Sequence, residues 1–185
     1  NGKLEETNDA YAIAKIAGIK MCQSFNEQYK CNYKSLMPAN TFGPNDNYDD
    51  NSSHFLPALI KKIHFLKVKK LSKLILWGNG KAMREFIHVD DLASACIYFM
   101  KKKTKHSVIN IGTGKDYTIK YYANFVSKII LKKKIKIQYD KSKPNGVKRK
   151  LLDISIAKKY GWRPKLDLKS SIHKTYNSYL NEIKK

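Results

Sequence analysis

The sequence predicts an α/β fold, and three properties of its 185 residues support this prediction. Short apolar runs typical of buried strands alternate with longer segments of helical periodicity, which is the pattern of α/β proteins. Hydrophobic residues make up 42% and aromatic residues 11% of the chain, as in a globular domain with its own core. No run of about 18 apolar residues occurs, so no membrane-spanning helix is predicted.

The first element is a helix predicted over residues 10–29, a segment without proline that follows cap-forming residues at 7–9. Tyr11 and Lys15 are four residues apart on this helix and therefore share one face. A fixed ammonium group stabilises a phenolate, so such a pair suits proton transfer to a carbonyl that is being reduced. The same spacing is common on solvated helix faces, so the later motifs have to decide between these two interpretations.

A short buried strand over 33–37 and a loop over 38–44 follow, because two prolines and a glycine interrupt regular structure in the loop. A loop at the carboxyl end of a strand in an open α/β sheet is where ligands bind. Residues 45–53 are polar and predicted to be irregular. His54 stands directly ahead of a helix that Pro57 opens and that runs to about residue 66.

The middle of the chain contains a tight turn at Gly78-Asn-Gly80 that leads from one strand into the next. Asp90 and Asp91 are expected to cap the helix that follows, and His88 to be a structural residue at the end of its strand. The predicted elements of this part are strands over 74–77, 83–89 and 108–112 and a helix over 92–100.

In the last third, Thr118 is expected to cap an amphipathic helix. The predicted elements are this helix over 119–131, a half-exposed strand over 135–139, a basic loop over 140–150, and helices over 155–160 and 167–183. No Gly-x-Gly-x-x-Gly follows a strand, and Gly112-Thr-Gly114 lacks the third glycine. The dinucleotide-binding fingerprint is therefore absent from these 185 residues.

The charge of the chain is strongly positive, with 37 Lys and Arg against 15 Asp and Glu and a formal net charge of +22. Such a charge attracts nucleic acid, anionic membranes or phosphorylated small molecules. Most of it is lysine scattered along helices, without arginine interleaved with aromatic residues, which favours a solvated lysine-rich surface. We therefore predict no specific nucleic acid partner and no membrane partner. A non-catalytic basic module that binds nucleic acid remains the alternative from a different class.

The cysteines are Cys22, Cys31 and Cys96, an odd number without metal-ligand spacing, so no metal site is predicted. Cys22 and Cys96 fall in predicted helices and are expected to be reduced thiols in the core, which indicates a cytoplasmic protein. The chain begins with Asn1 and has no signal-peptide pattern, so we expect it to start partway along a longer protein.

The order and spacing of several motifs resemble the extended short-chain dehydrogenase/reductases over essentially all 185 residues. Within them, the resemblance is to enzymes that epimerise and reduce a GDP-4-keto-6-deoxy sugar. The most specific elements are Ser-His-x-x-Pro-Ala-Leu and Trp-Gly-x-Gly-x-x-x-Arg-Glu-Phe. The segments that carry the resemblance are Tyr11 with Lys15, residues 38–44, 53–59, 77–80, 83–91, 110–114, 142–144 and 149–153.

The resemblance implies the C-terminal part of a Rossmann-type fold with a small α+β substrate-binding lobe. Residues 1–50 would belong to the NADP-binding Rossmann domain, whose N-terminal part is absent. Residues 51–185 would form mainly the substrate-binding lobe, with a strand and a helix near 86–112 that return to the Rossmann domain. In this superfamily the first helix builds a homodimer, and the side of it that contains Ala10, Ala14, Ala17, Gly18 and Met21 suits close approach.

The implied reaction has two stages. A cysteine and a histidine invert C3 and C5 of the sugar, and NADPH then delivers hydride to C4. By this resemblance Tyr11 is the proton donor, Lys15 supports it and holds the cofactor ribose, and His54 is the epimerisation histidine. An imidazole suits that role because it exchanges protons near neutral pH.

The resemblance also implies the binding residues. NADP(H) would contact Lys15 and His54 together with Pro38, Ala39, Asn40 and Thr41. The GDP-sugar would contact Lys62, Trp77 and Arg84. Arginine offers a fork to diphosphate oxygens and lysine a point charge, whereas a tryptophan on a strand is a core residue about as often as a binding residue.

Two departures limit the resemblance. The catalytic cysteine, the active-site serine and the glycine-rich cofactor loop of the superfamily precede the position of Tyr11, and Cys22 and Cys31 do not replace that cysteine. Asn145 stands where an aspartate is usual, which puts one substrate contact in doubt. We expect the 185-residue chain alone neither to bind NADPH tightly nor to turn over substrate. The alternatives are another nucleotide-sugar 4-epimerase or 4,6-dehydratase, or a pseudoenzyme.

Overall fold

The computed structural model describes residue 4 and residues 8–143 and 146–184, so Asn145 lies outside the described residues. Within them the helices are α1 (Asp9–Tyr29), α2 (Phe55–Val68), α3 (Val89–Lys101), α4 (Ile119–Leu131), α5 (Ser155–Lys159) and α6 (Leu168–Glu182). The strands are β1 (Ser35–Pro38), β2 (Asn40–Phe42), β3 (Lys73–Trp77), β4 (Met83–His88), β5 (Val108–Ile111), β6 (Asp116–Thr118), β7 (Lys136–Asp140) and β8 (Arg149–Lys150).

Most strand pairs are parallel, as expected of an α/β protein. β1 pairs with β5, β2 with β4, and β3 with β7, all in parallel. Between β1 and β2 the Ala39 N–H still donates to the Ile111 carbonyl at 2.8 Å, so residues 35–42 change partner from β5 to β4 without a break. The first half of β4 also pairs with β6 in antiparallel and with β8 in parallel.

Two hydrophobic clusters hold these layers together. The apolar faces of α2, α4 and α6 meet strands β3 and β4 in the first cluster, while α3 and α5 meet β1 and β5 in the second. Each fully buried Leu or Ile contributes about 1.5–3 kcal/mol to stability. The first cluster includes Leu56, Leu59, Ile60, Ile63, Tyr122, Val126 and Ile172. The second includes Ile87, Ala95, Phe99, Ile109, Ile111, Ala157 and Trp162.

The α/β prediction is confirmed, but two of the predicted loops are wrong. The loop over 38–44 contains strand β2, and β8 lies within the predicted basic loop. Such short strands show no alternation of their own and exist because β4 pairs with them. The tight turn predicted at Gly78 and Gly80 is present, with φ of 71° and 70°, and it leads from β3 to β4, which pair with different strands.

The predicted caps of α3 are also wrong. The cap is His88, whose Nδ1 accepts the Asp90 N–H at 3.2 Å. Burial lowers the pKa of His88, an effect to which Lys174 adds and which the Asp90 carboxylate opposes. Asp91 is buried and accepts the backbone N–H groups of residues 165 and 166, at 2.8 and 3.1 Å, so it ties down the connection between α5 and α6.

The expectation that two cysteines lie in the core is also wrong. Cys96 is exposed and Cys22 is only half-buried, and both are free thiols, as is Cys31. Cys96 follows buried Ala95 on α3, and neighbouring helical residues point in different directions. None of the described helices combines the length and apolar character that crossing a membrane requires.

Candidate functional site

Tyr11 and Lys15 lie on one face of α1, near its start. The Lys15 Nζ is 5.3 Å from the centroid of the Tyr11 ring, and 60% of Tyr11 is exposed. Asn8 occupies the cap position without a side-chain cap, while the Asp9 carboxylate accepts the Ala10 N–H at 2.6 Å. The phenol and the ammonium group therefore face the same exposed space, where a ligand can reach both.

Four of the six residues expected at the cofactor lie where the chain passes from β1 to β2. Ala39 is buried, whereas Pro38 and Asn40 are exposed. The Asn40 side chain donates from Nδ2 to the Glu85 carbonyl at 2.7 Å, and the Thr41 hydroxyl donates to the Ala39 carbonyl at 3.2 Å. The loop is thus fixed to β4, at the carboxyl end of a parallel strand.

His54 precedes α2 and occupies its cap position with an exposed side chain. Its imidazole makes no cap hydrogen bond, although its carbonyl accepts the Ala58 N–H at 3.0 Å. Among the described residues, no hydrogen bond, ion pair or ring contact joins His54 to Tyr11 or Lys15. The structure therefore leaves the imidazole accessible but does not bring the three side chains into contact.

Trp77 ends β3 and is 62% exposed, so it is not the core residue that its place on a strand allowed. The Lys62 Nζ, from α2, lies 5.9 Å from the centroid of the indole ring. Both residues line a groove of about 460 Å³ between α2 and β3, together with Phe65 and Ile75. A lysine beside an accessible aromatic ring suits a ligand that has both an anionic group and a planar ring.

Arg84 lies on β4 and is half-buried. Its Nη1 donates to the carbonyls of Met83 and Val147, at 2.7 and 2.6 Å. Burial lowers the pKa of Arg84, although a guanidinium stays charged at neutral pH. The two carbonyl contacts fix the orientation of the guanidinium, whose Nη2 lies beside Gly146, at 3.2 Å from the place a Cβ would take there.

Glu85 is a residue that the sequence did not single out. It is 1% exposed, and its Oε1 accepts the N–H groups of Thr113 and Gly114, both at 2.6 Å. Its Oε2 accepts the Leu152 N–H at 2.8 Å. The carboxylate thus ties two distant segments to β4, while its backbone carbonyl holds Asn40. The available signal was a second charged side chain, next to Arg84, on a strand whose following residues Phe86 and Ile87 are apolar.

The fold and the pair on α1 define a class of protein. The model of a family described as the NAD dependent epimerase/dehydratase family matches residues 1–112, which is more than half of the chain. The chain therefore belongs to this family. The match covers the tyrosine and the lysine, the loop between β1 and β2, and all of β4.

Within this family, the chain is similar to proteins named as GDP-L-fucose synthases. It is 43% identical over 182 residues to a putative GDP-L-fucose synthase 2 of Arabidopsis thaliana, covering 98% of this chain and 55% of that protein. It is 42% identical over 188 residues to the GDP-L-fucose synthase of Escherichia coli strain K12, covering 97% of this chain and 58% of that protein. The chain thus spans a little over half the length of these relatives.

The chain is also similar to a solved structure of an enzyme that acts on a GDP-sugar. The GDP-mannoheptose C4 reductase MlghC of Campylobacter jejuni, with NADP bound, is 33% identical and superposes with a TM-score of 0.82. The superposition covers 97% of this chain and 62% of that one. The arrangement of helices and parallel strands is therefore that of known nucleotide-sugar enzymes.

Proposed function

We propose that this chain belongs to an NADPH-dependent enzyme that converts GDP-4-keto-6-deoxy-D-mannose to GDP-L-fucose by 3,5-epimerisation followed by 4-keto reduction. The observation that carries this proposal is the Tyr11 and Lys15 pair on one exposed helix face, in a chain 42–43% identical to proteins named GDP-L-fucose synthase. In this proposal residues 1–50 belong to the cofactor-binding domain. Residues 51–185 belong mainly to the substrate-binding lobe, except for a strand and a helix near 86–112.

Tyr11 and Lys15 act in the reduction. The phenol gives its proton to the C4 oxygen as hydride reaches C4, so that the ketone becomes an alcohol. The Lys15 ammonium stabilises the resulting phenolate and offers hydrogen bonds to the hydroxyl groups of the ribose. The chemistry that NADPH supplies when bound is this hydride.

The residues present fit one end of the cofactor. Lys15, His54 and the loop formed by Pro38, Ala39, Asn40 and Thr41 would hold the nicotinamide and its ribose. The loop supports this assignment because its exposed Asn40 is fixed to β4 by a hydrogen bond of 2.7 Å. The pyrophosphate end receives no residues, because the 185 residues contain no Gly-x-Gly-x-x-Gly after a strand.

His54 acts in the epimerisation. The C4 ketone acidifies the protons on C3 and C5, and an exposed imidazole can exchange protons with one face of these carbons. Inversion also needs a second acid or base on the opposite face, the role that the resemblance assigns to a cysteine upstream of Tyr11. Lys62, Trp77 and Arg84 bind the GDP part of the substrate. Two observations support this assignment. The Lys62 ammonium lies beside the exposed Trp77 ring, and two carbonyl groups hold the Arg84 guanidinium.

A homodimer formed through α1 is part of the proposal. None of the described residues of α1 is buried, and the helix exposes large apolar side chains, which are Tyr11, Ile13, Ile16, Met21, Phe25 and Tyr29. A charge placed in such an interface breaks it, so Met21→Glu should yield monomers in analytical ultracentrifugation, while Lys20→Glu on the same helix should not. We also place the enzyme in the cytoplasm, which three free thiols support.

The test of the proposed reaction uses a full-length protein that contains this chain. His54→Gln should slow the exchange of the C3 and C5 protons with D₂O by at least about 100-fold, the usual contribution of a general base. Reduction of an already epimerised substrate should fall much less, because His54 contributes only a cofactor contact to that step. His173→Gln is the matched control, because His173 lies on α6 and carries no motif. A 4-epimerase or 4,6-dehydratase does not need His54, so unchanged exchange would favour those enzymes.

Two binding measurements separate the remaining alternatives. NADPH fluorescence should show no tight binding to the 185-residue chain, and sub-micromolar affinity would refute that expectation. A basic nucleic-acid module predicts steeply salt-dependent DNA binding on which GDP has no effect. Competition by GDP alone would argue against that module.

A further inference from the structure

Two lysines from different parts of the chain converge on the Trp77 ring. The Lys62 Nζ lies 5.9 Å from the ring centroid, and the Lys143 Nζ, from the segment after β7, lies 5.6 Å from it. Among the described residues, neither ammonium group forms a salt bridge with a carboxylate. The Ser142 hydrogen bonds and, more weakly, the Lys143 charge lower the pKa of the Asp140 carboxylate, so this acid offsets part of the positive charge at the ring. Two ammonium groups beside one carboxylate still leave a local excess of positive charge.

The backbone holds Lys143 in this place. Trp77 and Asp140 are partners in the parallel pairing of β3 and β7, and the Gly78 N–H donates to the Asp140 carbonyl at 2.8 Å. The same carbonyl accepts the Lys143 N–H at 3.4 Å. The Asp140 carboxylate accepts the backbone N–H and the hydroxyl of Ser142, at 3.0 and 2.6 Å, which turns the chain back towards the ring.

The far end of the same segment reaches Arg84. The Val147 carbonyl accepts from Arg84 Nη1 at 2.6 Å, and Gly146 lies beside Nη2. The described residues on either side of positions 144 and 145 therefore contact different residues, Lys143 the Trp77 ring and Val147 the Arg84 guanidinium. Lys143 thus lies at one of the residues to which the proposed function assigns the nucleotide, four positions before a contact of another.

We infer that Lys143 is a further ligand for the diphosphate of the nucleoside diphosphate. The inference rests on the proposed function, because it takes the anion to belong to the GDP-sugar that Lys62, Trp77 and Arg84 bind. A diphosphate near the indole neutralises both ammonium groups, and charge-assisted contacts of this kind are the strong ones. Lys143 then contributes to affinity and takes no part in the proton transfers at Tyr11 or His54.

The test compares Lys143→Met with Lys141→Met in the 185-residue chain by isothermal titration calorimetry. Both substitutions remove one exposed positive charge from the same segment, but only Lys143 contacts Trp77. Lys143→Met should raise the dissociation constants of GDP and inorganic pyrophosphate on the order of tenfold, as expected for one charge-assisted contact. Lys141→Met should change these dissociation constants by less than about twofold. Far-UV circular dichroism confirms that each variant is folded.

The outcomes distinguish the two levels of the argument. If Lys143→Met and Lys141→Met bind GDP equally, the inference is overturned, while GDP binding by the unmodified chain still supports the proposed function. UDP is titrated as well, to test the choice of base. If pyrophosphate binding depends on Lys143 but GDP binds no more tightly than UDP, the inference stands, and the assignment of a guanine nucleotide in the proposed function fails. Absence of binding of both GDP and pyrophosphate to the unmodified chain overturns the inference.

Discussion

The substitution Glu85→Gln tests whether one buried carboxylate holds three segments together. The two oxygens of Glu85 accept three backbone N–H groups, from Thr113, Gly114 and Leu152, at 2.6, 2.6 and 2.8 Å. A glutamine amide has one oxygen and one NH₂ group. Whichever way it is turned, a donor then faces a backbone N–H, and one side of the cluster loses its acceptor.

The expected loss follows from this count. A hydrogen bond to a charged group contributes about 1.5–3 kcal/mol, and the bonds that remain weaken because their acceptor is now neutral. The smaller cost of burying an amide in place of a carboxylate offsets part of this loss. We therefore expect the free energy of unfolding to fall by about 2–4 kcal/mol. The matched control is Glu27→Gln on the exposed surface of α1, which should change it by less than about 0.5 kcal/mol.

Urea unfolding measures the free energy, and amide hydrogen exchange identifies the segment that is released. If the glutamine oxygen keeps the hydrogen bonds from the Thr113 and Gly114 N–H groups, only the Leu152 amide should lose its protection from hydrogen exchange. A change in the free energy of unfolding below 0.5 kcal/mol, with all three amides still protected, would show that Glu85 does not hold the segments together.

Two further predictions concern His88 and the glycines. Burial lowers the pKa of His88, so below about pH 6.5 the unfolded chain binds more protons than the folded chain does. The free energy of unfolding therefore decreases as the pH is lowered, by at most about 1.4 kcal/mol per pH unit. His88→Asn keeps an acceptor for the Asp90 N–H, so chemical unfolding at pH 7.5 and 5.5 should show a smaller loss than in the unmodified chain; equal losses would contradict this. Gly80→Ala should lower the free energy of unfolding by about 2–4 kcal/mol, because φ is +70° and a Cβ would lie 2.5 Å from the Tyr139 ring. Gly18→Ala should raise the free energy of unfolding by about 0.5–1 kcal/mol, because a Cβ added at Gly18 would meet no atom within 4 Å. If the melting temperatures of both glycine variants shift in the same direction, the argument is refuted.

The helices were predictable because their signals are local. Thr118 accepts the Tyr121 N–H at 3.1 Å and Asp167 accepts the Ser170 N–H at 2.8 Å, each at the first turn that the sequence indicated. The contact between Tyr11 and Lys15 is local in the same sense, since a helix fixes the relation of residues four apart.

The contacts that position the candidate site are not local. The partners of Glu85 lie 28, 29 and 67 residues away along the chain, and Asn40 lies 45 residues before it. No periodicity reports such distances, so the sequence identified Arg84 through a motif and passed over its neighbour. The strands β2 and β8 escaped prediction for the same reason, because their pairing with β4 defines them.

Consecutive residues of β4 contribute to the two proposed binding sites, one for the nucleotide and one for the cofactor. Adjacent side chains of a strand point to opposite faces, so Arg84 reaches Val147 while Glu85 reaches the loop at Thr113. The Glu85 carbonyl meanwhile holds Asn40, a proposed cofactor residue. A shift of β4 by one residue would exchange these faces, and its pairing with β2, β6 and β8 opposes such a shift. The distance between Arg84, the proposed nucleotide ligand, and the proposed cofactor loop is therefore set by one strand, which suits the proposed enzyme, because that enzyme performs two successive steps on a sugar held by the same nucleotide.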